Sequence, residues 1–86
     1  MKLRVFAVYD AKAEVYNAPF FTQTVGLALR GFTDEVRNPD SMLNKHPEDF
    51  SLFEIGEFDQ LTGAITPLTA PVSIAPALEL VRGQAD

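Results

Sequence analysis

Five apolar side chains, Val25, Ala28, Leu29, Phe32 and Val36, recur at the three- and four-residue spacing of a single helical stripe. A helix this short is marginal in water by itself, so the stripe must be buried against another element. Thr22 or Thr24 stands where a side-chain oxygen would cap the first turn, and Asn38-Pro39 ends the pattern near Arg37. Gly26 and Gly31 weaken the helix by about 1 kcal/mol each relative to alanine, which predicts close packing of its backbone on a sheet.

The strands that could supply this sheet flank the helix. In residues 2–9, Leu3, Val5, Ala7 and Tyr9 share one strand face, and Lys2, Arg4, Phe6 and Val8 the other. Both faces are partly apolar, as in a central or well-covered strand. Asp10 to Asn17 reads as a turn and irregular loop, and Ala18-Pro19 keeps the chain extended before Phe20 and Phe21. Residues 39–49 read as a polar loop. His46 to Asp49 is then a charged, proline-marked entry into a second strand, Phe50 to Phe58. Asp59 to Gly63 has the length and final glycine of a hairpin loop, and Ala64 to Leu68 pairs back as a third strand whose end Pro67 demotes to an edge. Ser73 to Val81 reads as a short helix with Ser73 as cap and Pro76 in its first turn. An extended segment marked by Pro67, Pro71 and Pro76 is the competing reading, and Gln84 to Asp86 is expected to fray.

The expected fold is therefore α+β, with 1–86 as a single domain. It is a two-layer domain in which a small three-stranded sheet, ordered β-α-β-β, packs on one main helix, with or without a short C-terminal helix. A parallel neighbour for the first strand, reached by a right-handed crossover, is compatible with that order.

Cysteine is absent, which removes disulfides, thiolate nucleophiles and thiolate metal sites. No apolar run approaches the roughly 20 residues that span a bilayer, and the N-terminus lacks the features of a signal peptide. The expectation is a soluble intracellular protein with no membrane partner. Twelve acidic against seven basic residues leave a net charge of −5, which disfavours nonspecific binding to phosphate backbones. The charges are uneven. Lys2, Arg4 and Lys12 fall early in the chain, while Asp34 to Asp59 holds eight of the acids.

Catalytic chemistry finds little support. His46 is the only histidine and reads as a turn residue beside Pro47, with no second histidine or cysteine for a transition metal. Glu48, Asp49, Glu54, Glu57 and Asp59 do not follow calcium-loop spacing and read as solvated, edge-protecting charges. The glycines match neither phosphate-loop nor dinucleotide spacing. The expectation is a protein that is not an enzyme, with no cofactor and no metal. One pattern suits nucleic acid: Tyr9 and Tyr16 lie near Lys2, Arg4 and Lys12, with Arg30 and Arg37 seven apart on the helix and Asp34 between them. Bases stack on exposed rings while cations follow the phosphates. Phe6, Phe20 and Phe21 read mostly as core.

Several segments carry a family resemblance. They are Tyr9-Asp10 with Lys12-Ala13; Pro19-Phe20-Phe21; Gly26, Ala28, Arg30, Phe32 and Asp34 at alternate positions; and His46-Pro47-Glu48-Asp49-Phe50 followed by Leu52-Phe53, Gly56 and Phe58-Asp59. In this order and spacing they resemble the small nonstructural protein of gokushovirus-type microviruses (Microviridae), phages with single-stranded DNA. The likeness runs to about residue 80. Leu27 departs from it, standing where a polar or acidic residue is expected, and hints at a packed or self-associating helix face. The resemblance implies a protein of the infected host cytoplasm, absent from the capsid, described as DNA-binding or as acting in single-stranded genome synthesis. It carries over no catalytic residues.

Two readings follow. In one, the protein assists viral DNA replication or packaging by contacting single-stranded DNA through Lys2, Arg4, Tyr9, Lys12, Tyr16, Arg30 and Arg37. In the other, Glu48, Asp49, Glu54, Glu57 and Asp59 bind a basic viral or host replication protein without DNA contact. Homo-oligomers are compatible with either, because an open sheet leaves edges to protect.

Overall fold

The computed structural model describes residues 1–83; the expectation for Gln84 to Asp86 lies outside them. The chain runs β1 (Lys2–Asp10), β2 (Val15–Tyr16), β3 (Phe20–Thr22), α1 (Val25–Arg37) and α2 (Met42–Lys45). A 3-10 turn (Pro47–Asp49), β4 (Phe50–Asp59), β5 (Ile65–Pro76) and α3 (Ala77–Gly83) complete it.

Among the described residues five antiparallel strands form one sheet in the order β2-β1-β4-β5, with β3 also on β1. This overturns the three-stranded sheet on one main helix. The two added strands are only two and three residues long, too short to show an alternating pattern, and both fold back onto the free side of β1. Their return also overturns the parallel crossover. β3 pairs Thr22 with Arg4, so the chain re-enters at the start of β1. The 13 residues of α1, about 20 Å of helix, then carry it back to the end of β1. There Phe50 pairs with Asp10, so β4 must run antiparallel.

Helix α1 begins and ends close to its predicted limits. Thr24 is extended and its hydroxyl accepts a 3.1 Å hydrogen bond from the Leu27 N–H. At the other end the Asn44 side-chain amide donates to the Val36 carbonyl at 2.9 Å, filling an acceptor left open by the helix terminus. The predicted polar loop holds two further turns, α2 capped by Ser41 and the 3-10 turn led by Pro47.

The stripe packs as expected. Ala28, Phe32 and Val36 bury against Phe6, Phe50, Leu52 and Ala77, with Val8, Phe20, Leu29, Leu43, Ile74 and Leu80 around them. Phe6 and Phe20 stack at 5.8 Å. The helical glycines are not explained by tight packing: a Cβ on Gly31 would meet nothing within 4 Å, and one on Gly26 would lie 3.8 Å from Thr24 Oγ1. Gly31 instead borders an open apolar cavity of about 270 Å³ with Val8, Phe20, Phe32, Glu35 and Leu43.

Strand β5 continues through Pro67 and Pro71 to Pro76 rather than ending near Leu68. It is the sheet edge, where a missing N–H on the outer side costs no ladder bond. Ser73 therefore lies in the strand, opposite Phe53, instead of capping a helix, and α3 starts only at Ala77.

Candidate interaction face

Strand alternation sorts the side chains of β1 as the sequence predicts, and the helices all pack on one side of the sheet. Phe6 and Val8 face them. The residues between, Leu3, Val5, Ala7 and Tyr9, point to the other side, where no described helix lies. Register then places Tyr16 and Phe21 beside them on β2 and β3, and Ser51, Phe53, Gly56 and Phe58 on β4. On β5 the matching positions are Ile65, Pro67, Ser73 and Pro76. None of these residues is charged.

The aromatic rings form two groups. Tyr9 and Tyr16 meet at 4.8 Å between centroids, and Phe53 stands edge-on to both, at 6.2 and 5.8 Å. At the other end Phe21 and Phe58 pack edge-on at 5.5 Å. Tilted and edge-on contacts suit the ring quadrupole and hold the side chains in place. The rings crowd the small residues of the central strands, so that Val5 is only 3% and Ala7 only 1% exposed without any helix above them. The outer surface stays open, with Tyr16 43%, Phe21 41% and Ile65 62% exposed.

Of the residues predicted to contact DNA, the structure brings together Tyr9 and Tyr16 and separates them from the cations. Arg4 and Lys2 alternate onto the helix side. There Arg4 Nε meets Glu54 Oε2 at 3.1 Å and Lys2 Nζ meets Glu57 Oε1 at 3.2 Å. Lys12 sits in the β1–β2 turn, whose backbone N–H groups at Lys12 and Ala13 donate to Asp10 Oδ1. It borders a hollow with Met42, His46, Asp49 and Phe50, again away from the tyrosines. Arg30 and Arg37 are exposed on α1, in the helical layer. Among the described residues, the predicted cations lie on the helical side of the sheet and the tyrosines on the other.

The predicted acidic surface is divided as well. Glu54 and Glu57 are taken up by the two ion pairs. Asp59 organises the β4–β5 turn, accepting from the Leu61 N–H at 2.9 Å, while the Gly63 N–H donates to its carbonyl at 2.7 Å. Gly63 has φ +79°, the left-handed conformation that glycine adopts freely. The Leu61 hydrogen bond is the main cause holding the Asp59 carboxyl below its ordinary pKa of 3.8. Glu48 and Asp49 lie at the opposite end of β4, where they and His46 offer ligand atoms within 4.8 Å of one another on the 3-10 turn. Two of those three residues are exposed, and exposed acidic groups commonly gather without an ion.

Phe21, Phe53 and Phe58 belong to the aromatic face but were not singled out as site residues. The signal was present for two of them, since Phe53 and Phe58 alternate with charges along β4. Their convergence with Tyr9 and Tyr16 depends on strand pairing, which no local pattern reveals.

The fold is a single antiparallel sheet, helical on one face and aromatic and uncharged on the other. The chain belongs to the Phage ORF5 protein family, whose family model matches residues 3–80. It is thus a phage protein. No curated protein and no solved structure matches it.

Proposed function

We propose that this protein is a non-enzymatic accessory factor in the replication or packaging of a single-stranded phage genome. It acts in the host cytoplasm by association, with the aromatic sheet face as its contact surface. Family membership supports the phage role, and the gokushovirus-like motifs support the single-stranded genome. The observation that carries the choice of surface is the uncharged face itself. A solvent-facing antiparallel sheet normally turns polar residues outward. Here every outward position of β1 is apolar or aromatic, while Lys2, Arg4, Glu54 and Glu57 occupy the other side. A protein partner suits this face better than a polynucleotide, because phosphates would find no cation on it.

A second reading is favoured by the ring geometry. Tyr9, Tyr16 and Phe53 form a cluster on which unpaired bases could stack, at roughly 1–3 kcal/mol per base. Held by stacking alone, single-stranded DNA would bind with little dependence on salt.

Fluorescence anisotropy with a labelled oligonucleotide of about 20 nucleotides, at low and moderate salt, separates the two. The first reading expects no binding at micromolar protein. Salt-insensitive binding lost in Tyr16→Ala establishes the second. Salt-steep binding lost when Lys2, Arg4 and Lys12 are all replaced by alanine would overturn the assignment of the aromatic face. In the phage, Phe21→Glu is expected to lower the yield of progeny single strands, and a wild-type yield with a folded variant would remove this face from the function.

A further inference from the structure

We propose that the occupant of the aromatic face is a second copy of this chain, giving a two-fold dimer in which two sheets pack face to face. The proposal rests on the reading of that face as a contact surface and names its partner.

Three observations carry it. First, β1 is apolar on both sides, yet helices cover only one; on the other, Val5 and Ala7 are covered by the aromatic rings alone, and those rings stay open outward, with Tyr16 43% and Phe21 41% exposed. Contiguous apolar patches beyond a few hundred Å² are uncommon on monomers and mark contact sites. Second, the face spans three strands about 4.8 Å apart over about nine residues at 3.4 Å each, with β2 and β3 adding a shorter fourth row. That is roughly 500 Å² in projection, and more once side-chain relief is included. A stable interface buries about 800 Å² per partner, and the molecule's broad dimensions of 42 × 27 Å leave room for it.

Third, charge selects the partner. An acidic or basic protein, or DNA, would find no group to pair with on this face. A second copy matches it by construction: an isologous contact lays uncharged aromatic surface against the same surface. The net charge of −5 does not oppose this. In the paired strands the charges point to the helix side, and the helices carry the rest of the facing layer. With sheets about 10 Å apart, the charged outer layers of two copies would stand beyond the roughly 8 Å screening length. Aligned packing of twisted sheets, at about −30°, would bring Tyr16 and Phe21 of one copy onto the rings of the other.

Sedimentation equilibrium of the full chain tests this, over a range up to about 200 μM. The expected mass is twice the 9.5 kDa of one chain. Phe21→Glu and Tyr16→Glu each place a carboxylate in the interface and are expected to yield monomers with unchanged circular dichroism. Arg30→Glu, on the helical layer, is expected to remain dimeric. A monomeric wild type overturns the proposal, as does a dimer that survives both face substitutions. If the face variants fail to fold, isotope-filtered NOEs in a mixed labelled and unlabelled wild-type sample decide it. Contacts between rings of different copies are expected, and their absence overturns the proposal. Adding the same oligonucleotide to the sedimentation cell distinguishes the two levels of failure. A monomer that binds it, and loses it in Phe21→Glu, defeats the dimer but keeps the face as a contact surface. A monomer that binds nothing, combined with a wild-type phage yield for Phe21→Glu, defeats both.

Discussion

Replacing Gly56 by alanine tests the close approach on which the β4–β5 pairing depends. Gly56 is buried in the central strand β4, beside an irregularity in the pairing with both neighbours. A Cβ there would lie 2.8 Å from the Thr66 carbonyl oxygen and 3.5 Å from the Pro67 Cα. Both are backbone atoms, so no flexible side chain can move aside, and the strands must part by about half an ångström. Overpacking of this kind costs about 1–3 kcal/mol. Removing a glycine from a strand interior returns roughly 0.5–1 kcal/mol, leaving a net loss of about 0.5–2 kcal/mol. With an unfolding entropy near 2.1 cal/mol/K per residue, that lowers Tm by roughly 3–11 °C in a chain of this length. Gly31→Ala supplies the opposite sign. Nothing lies within 4 Å of its Cβ, and the helix gains about 0.5–1 kcal/mol. Thermal melts followed by circular dichroism measure both. A Gly56→Ala protein that melts at or above the wild-type temperature would refute the steric reasoning.

Three further outcomes are expected. Thr24→Ala removes the acceptor for the Leu27 N–H and should cost about 1 kcal/mol in urea unfolding; a shift below a few tenths would mean that the cap contributes nothing. The Asp59 carboxyl has a folded pKa below 3.8, so its contribution is complete above that value and is lost as pH falls through the lower folded value. Asp59→Asn should therefore flatten the decline in urea midpoint below about pH 4, and parallel wild-type and variant curves would contradict this. A double-mutant cycle on Arg4 and Glu54 should give a coupling below about 1 kcal/mol, because the arginine is half exposed; a coupling of several kcal/mol would show that solvent screens it far less than its exposure implies.

Legibility in the sequence followed the range of the interaction. The α1 stripe, a threonine cap at Thr22 or Thr24 and the β4 hairpin were readable because each depends on residues within a few positions of one another. The two faces of β1 were readable too, and their alternation already put Tyr9 opposite Lys2 and Arg4. The cationic island joined residues that this same pattern separates. Strands β2 and β3 were not legible because two or three residues carry no period; β5 was legible at its start, and its continuation to Pro76 was open between a helix and an extended segment marked by prolines. The site suffered most. Phe21 and Phe58 are 37 positions apart in sequence and 5.5 Å apart in space.

By itself the sequence determined which segments could be helix or strand, which faces they would present, and that Lys2 and Arg4 of β1 would lie opposite Tyr9. Those are consequences of 3.6- and 2-residue periodicities acting locally. Only the tertiary structure decided that β4 returns antiparallel to β1, that β5 stays extended to Pro76, and that five rings from four strands gather on one uncharged face. Strand pairing is a contact between distant parts of the chain, chosen by how the whole sheet satisfies its hydrogen bonds and covers its core. No window of neighbouring residues contains that choice.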